Sequence, residues 1–173
     1  RVLFRSGHSN FDGLGIVVAK TIEIAHKLFE MGFLLRGGIA VGPVWHDDRN
    51  IFGTGYISAV NGKKSADHPR VVLTDAATSR WRASGLADTP MCMSDGNTLI
   101  ADTLMPDYIR GTEVHGRIED AFRQYKAWIT TRLSELRPGR PRSKWEWMAV
   151  SFNRALRQYG VNVAPIEAFP FPD

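Results

Sequence analysis

Two adjacent glycines, Gly37 and Gly38, interrupt an alternating apolar run between residues 33 and 44. Side chains alternate faces along an extended chain, so Phe33, Leu35, Ile39 and Val41 fall on one side and predict a central strand. A strand without side chains at its middle marks a bulge, or a place where a second backbone or a ligand comes close. Two arrangements satisfy that requirement. A helix can lie directly over the bare backbone, or the glycines can floor a ligand cleft.

The flanking segments predict what surrounds this strand. Upstream, Leu14, Val17, Val18, Ile22, Ala25, Leu28 and Phe29 recur at three and four residues, the spacing of an amphipathic helix. Asp12 is the expected cap and Gly32 the expected stop. His26 reads as a surface histidine. Downstream, residues 45–50 read as a hairpin turn. His46, Asp47 and Asp48 are adjacent there, a spacing that rarely converges on one metal ion. Residues 54–66 predict a helix weakened by Gly62. Gly53 and Gly55 at its start suggest a phosphate cradle, without the spacing and lysine of a full phosphate loop.

Residues 70–74 predict a short buried strand, followed by a small helix through Trp81 capped by Asp75. Residues 86–93 and 98–104 predict a hairpin around Asp95-Gly96-Asn97. From Gly116 to Leu136 one apolar stripe predicts a long helix, broken by Pro138-Gly139-Arg140-Pro141-Arg142. Ser143 is the expected cap of a final helix. Residues 161–173 predict an extended tail.

At 173 residues the chain can bury a substantial core. No apolar run reaches membrane-spanning length, so no membrane association is expected. The single Cys92 cannot form an internal disulfide, which suits a reducing, cytoplasmic setting. The net charge of +4 is unevenly spread. Residues 1–109 balance 11 Lys and Arg against 11 Asp and Glu, whereas residues 110–160 carry 11 against 5. The predicted C-terminal helices are therefore the basic part, with nucleic acid or a nucleotide as conceivable partners. A solvated helical face explains the same charge.

Taken in order, a helix, then Leu34-Leu35-Arg36-Gly37-Gly38-Ile39-Ala40-Val41-Gly42, then Phe52-Gly53 opening a helix, then His68-Pro69-Arg70 before a strand, resemble class III nucleotidyl cyclases. The segment Lys144-Trp145-Glu146-Trp147-Met148-Ala149-Val150-Ser151-Phe152-Asn153 is similar to a helix near the C-terminus of the bacterial pyrimidine cyclases of Pycsar antiphage systems. The resemblance implies an α+β fold, a ferredoxin-like cyclase core with added C-terminal helices. It implies a partial catalytic domain over residues 7–109, a helical extension over 110–160 and a tail over 161–173. Residues 1–6 look like a translated sequencing adapter, so the chain is expected to be an N-terminally truncated fragment.

By the same resemblance, the parent would be a cytoplasmic homodimer that converts UTP or CTP into a 3′,5′-cyclic nucleotide and pyrophosphate, using Mg²⁺ or Mn²⁺. The two metal-binding aspartates would precede this fragment, leaving it no metal ligands and no activity of its own. Asn50 falls at the base-selecting position. The transition-state Asn position falls at Ile57, which cannot serve, and the transition-state Arg position falls at Asn61. Arg36, Gly37, Gly38, Phe52, Gly53, Lys63 and Lys64 would line the nucleotide site. A non-catalytic cyclase-like module that binds a nucleotide or a partner remains an alternative. So does a nucleic-acid-binding protein using Arg137, Arg140 and Arg142.

Overall fold

The computed structural model describes residues 13–109 and 118–167. The expectations for residues 1–6, the Asp12 cap, residues 110–117 and the end of the tail lie outside the described residues. The remainder is a mixed α+β structure whose contacts divide it into two compact units. The first comprises residues 13–22 and 36–103, and the second residues 23–35 and 104–167. Residues 23–35 pack with the C-terminal helices.

The first unit contains the sheet. Its elements are β1 (Gly37–Ile39), the hairpin β2 (Trp45–His46) and β3 (Ile51–Phe52), α2 (Thr54–Ser65), β4 (Val71–Leu73), α3 (Asp75–Arg82), β5 (Cys92–Asp95) and β6 (Thr98–Ala101), preceded by the start of α1 (Gly13–Glu30). The four-stranded sheet has the order β1-β4-β6-β5. Parallel β1 and β4 pair Gly37 with Val71, Gly38 with Val72 and Ile39 with Leu73. They are connected through α2, as parallel neighbours require a crossover. β5 and β6 form the expected antiparallel hairpin around Gly96, which has a positive φ of 59°. Arg70, just before β4, forms an ion pair with Asp95 at the end of β5. Val71, Val72 and Leu73 are all buried, the continuous apolar pattern of a strand covered on both faces.

β1 is much shorter than the predicted strand, and among the described residues it pairs only with β4. Ile39 is buried, but Phe33 is 59% exposed and Val41 37% exposed. The reason lies at both ends. Gly32 N–H donates to Phe29 O and Phe33 N–H donates to Leu28 O, with Gly32 at φ 79°. These two bonds satisfy carbonyls at the end of α1 in a Schellman arrangement, so Phe33 belongs to a helix cap. Past Ile39 the chain leaves the sheet to pack against the start of α2.

The second unit is helical. It joins the end of α1 to α4 (Ile118–Glu135) and α5 (Arg140–Gln158), with a short 3-10 turn at Pro106–Tyr108. Its core contains Phe29, Phe122, Tyr125, Ile129, Trp145, Met148, Phe152 and Leu156. Each such side chain contributes roughly 1.5–3 kcal/mol on full burial. The Phe29 and Tyr125 rings meet edge to face, 4.9 Å between centroids, the arrangement their quadrupoles favour.

His26 is a correction to its surface assignment: it is fully buried. Its Nε2 lies 3.0 Å from Met105 O, and its Nδ1 lies 2.9 Å from Tyr125 Oη. A carbonyl can only accept, so Nε2 carries the proton and Nδ1 accepts from the tyrosine hydroxyl. Burial, with Glu30 nearby, holds the Tyr125 hydroxyl well above its ordinary pKa.

Two predicted caps are also displaced. Thr74 is the N-cap of α3, and Asp75 is its first residue. α5 begins at Arg140 after Gly139, with Pro141 in the first turn, where its missing N–H costs nothing. Ser143 instead donates to Arg140 O.

Candidate functional site

α2 carries Asn61, Lys63 and Lys64 of the residues that the sequence singles out, and the glycines explain how it is seated. A Cβ on Gly38 would stand 2.3 Å from Ala59 O and 2.9 Å from Lys63 N, both backbone atoms of α2. Gly62, on the facing side of that helix, would place a Cβ 3.2 Å from a Val72 methyl and 3.6 Å from Gly38 Cα. Glycine therefore faces glycine, and helix and strand approach at backbone distance. The residue that weakens α2 locally is the one that allows it to pack. Of the two arrangements open to the glycine strand, the structure shows the helix laid over bare backbone at Gly38. Gly37 faces differently: its Cβ would meet only Val71 methyls, at 3.5 and 3.6 Å.

The same logic accounts for the glycines at the start of α2. Gly53, at φ 130°, would bring a Cβ within 2.4 Å of Pro43 O, and Gly55 would bring one within 2.7 Å of Gly42 O. Gly55 N–H donates to Pro43 O at 3.0 Å. One of the free N–H groups that a phosphate would seek at a helix start is thus already paired with the chain's own loop.

Arg36 secures the other end. Its Nε donates to Lys63 O and its Nη2 to Lys64 O, both at 3.0 Å. A cation bonded to the last carbonyls of a helix satisfies orphan acceptors and complements the negative end of the dipole. Arg36 therefore has a structural role at α2.

Between these ends, Thr54, Ile57, Asn61 and Lys64 are exposed and spaced at three and four residues, so they form one solvent-facing row. Ile57 is 56% exposed. Lys63 is exposed as well. Asn61 can donate or accept, and the lysines can donate to anionic oxygens. The two positions implied as catalytic, 57 and 61, therefore share a face with Lys64.

Asn50 lies in the hairpin loop. Asp47 Oδ1 accepts from the backbone N–H groups of Arg49 (2.8 Å) and Asn50 (2.7 Å), and Asn50 Nδ2 reaches the same carboxylate at 3.3 Å. The backbone donors, Arg49 foremost, hold the Asp47 carboxyl below its ordinary pKa. Its oxygens are engaged in shaping a turn. Phe52, 56% exposed, stacks on Trp45 with centroids 4.5 Å apart.

No group of three or more His, Cys, Asp or Glu side chains converges among the described residues. No step through Mg²⁺ or Mn²⁺ follows from the described residues. No described helix is long and apolar enough to cross a membrane.

In the second unit, Arg142 is tied down. It donates to Leu133 O and to Leu136 O, at 3.1 Å for the latter, and pairs with Glu146 at 2.9 Å. It caps α4 from the first turn of α5. Arg137 and Arg140 are exposed beside it. Asn153, the last residue of the run that resembles the pyrimidine-cyclase helix, is 2% exposed, a burial not predicted from the sequence, and bonds to the backbone of Ile166. Its position amid Ala149, Phe152 and Leu156 on the apolar stripe was the available signal. Comparisons with protein-family models, with curated proteins and with solved structures found no match to this chain.

Proposed function

We propose that this chain is the later part of a class III nucleotide cyclase catalytic domain. Its parent would be a cytoplasmic homodimer that forms cyclic UMP or cyclic CMP from the corresponding triphosphate in antiphage signalling. The observation that carries the reading is the α2 row. Positions 57 and 61 stand on one exposed face with Lys64, on the helix that joins parallel β1 and β4. A ferredoxin-like core is built from split strand–helix–strand units, with another strand between the two that are joined, whereas β1 and β4 here are direct neighbours. An outward-facing row suits a site completed by a second copy.

In this reaction the ribose 3′-hydroxyl attacks the α-phosphorus and pyrophosphate departs. Divalent metal would lower the negative charge on the triphosphate. What they can supply is narrower. The Asn61 amide can donate to a phosphoryl oxygen where charge develops, and Lys63 and Lys64 can balance the triphosphate. Arg36 keeps the end of α2 formed so that these lysines are presented. Gly38 and Gly53 act through close packing, and Asn50 through its turn. The nucleotide therefore lies over the exposed side of α2.

The test uses the chain with the coding sequence upstream of it restored. The purified protein is incubated with each of the four nucleoside triphosphates and Mg²⁺ or Mn²⁺, and products are separated chromatographically. Cyclic UMP or cyclic CMP is expected, with a loss of at least tenfold for Asn61→Ala. Absence of a cyclic product from all four triphosphates refutes the reading.

A further inference from the structure

The C-terminal end of the described chain doubles back on α5. Gly160, at φ 62°, ends the helix, with Gly160 N–H donating to Arg157 O and Val161 N–H to Leu156 O. Residues 161–167 form no regular element, yet Val161 and Ile166 are buried in the same apolar cluster as Phe152 and Leu156. Asn153 meets Ile166 in both directions. Its Oδ1 accepts the Ile166 N–H at 2.8 Å, and its Nδ2 donates to Ile166 O at 2.9 Å. One amide side chain thus pairs with both polar backbone groups of one residue, as a neighbouring strand would.

We infer that the second unit carries a binding slot for an aliphatic segment, filled in cis by residues 161–167, with Asn153 as its latch. The slot combines two recognition elements. The buried amide reads both polar backbone groups of one residue, and the cluster around Phe152 accepts a branched aliphatic side chain. Pro165, just before the clamped residue, fixes its own φ and offers no competing N–H. The remaining polar residues, Asn162 and Glu167, are exposed, as are Ala164 and Pro165. A segment held by one clamp and two apolar anchors releases as a unit more readily than the helix beneath it. This inference stands apart from the proposed cyclase activity and does not depend on it.

Amide hydrogen exchange on the full chain, read residue by residue by NMR, tests it. In Asn153→Ala the Ile166 amide and its neighbours in residues 161–167 are expected to exchange at least about tenfold faster, the loss of one or two buried bonds. The interior amides of α5, Ala149 and Phe152 among them, keep their protection. Ile166→Ala, which leaves the latch intact but removes the anchor, gives the same selective release, and Ile166→Val does not. If Asn153→Ala fails to fold, the Ile166 pair decides by the same criterion. Unchanged exchange in residues 161–167 overturns the inference. So does loss of protection in α5 in step with the segment, since the slot would then not be separable from its occupant.

Discussion

Replacing Gly38 with alanine adds one carbon at the tightest contact between sheet and helix. That carbon would stand 2.3 Å from Ala59 O and 2.9 Å from Lys63 N, whereas relaxed non-bonded contacts lie at about 3.5 Å. α2 must withdraw by about 1 Å, because backbone atoms cannot rotate away as a side chain can. Overpacking costs typically about 1–3 kcal/mol, and the rigidity here puts Gly38→Ala near about 3 kcal/mol. Gly37→Ala is the control. Its Cβ would meet Val71 methyls at 3.5 and 3.6 Å, ordinary contacts, and its backbone does not occupy the positive-φ region. Gly37→Ala should therefore be neutral, or stabilising by about 0.5 kcal/mol through a less flexible unfolded chain. Urea unfolding followed by circular dichroism reads both. With m of about 2 kcal/mol/M, Gly38→Ala should lower the midpoint by about 1.5 M and Gly37→Ala should leave it near wild type. Equal effects, or a larger loss for Gly37→Ala, would show that α2 does not rest on Gly38.

Other perturbations have equally definite outcomes. His26→Ala opens a cavity and strands Met105 O and the Tyr125 hydroxyl, so thermal unfolding should report a loss of about 3 kcal/mol. Burial, aided by the Asp102 charge, pushes the Cys92 thiol up to about 12 from an ordinary 9.0. The unfolded chain sheds that proton first as pH rises from about 9, so stability should fall between about 9 and 12. Cys92→Ala should flatten that part of the stability–pH curve relative to wild type, and an unchanged slope would contradict the assignment. Arg142→Ala should destabilise the junction of α4 and α5 by about 1–2 kcal/mol, while Arg140→Ala stays within about 0.5 kcal/mol. A nucleic-acid affinity that fell equally with both, at unchanged stability, would favour a basic interface over a structural Arg142.

The helices were largely legible because 3.6-residue apolar spacing is a local property. α1, α2, α3 and α4 lie close to where the sequence predicts them, while α5 begins at Arg140, inside the predicted break and ahead of the expected Ser143 cap. Errors arose where a residue's role depends on what lies across from it. His26 looks like a surface residue in isolation; it is buried because a tyrosine hydroxyl and a carbonyl satisfy it. Phe33 alternates correctly for a strand, yet the Gly32 cap takes its N–H first. Arg36, Asn50 and Gly38 also have structural contacts that no local stretch shows: Arg36 holds a helix end, Asn50 a turn and Gly38 a packed backbone.

Sequence alone determined the order of the elements, the bare-backbone strand and the basic C-terminal half. These follow from side-chain spacing and from the absence of a Cβ at chosen positions. Only the tertiary structure decided that Gly62 meets Gly38, that residues 23–35 pack with the C-terminal helices, and that Asn153 holds Ile166. Each joins groups far apart in the chain, and the free energy of burying them resides in the contact, which no local stretch encodes.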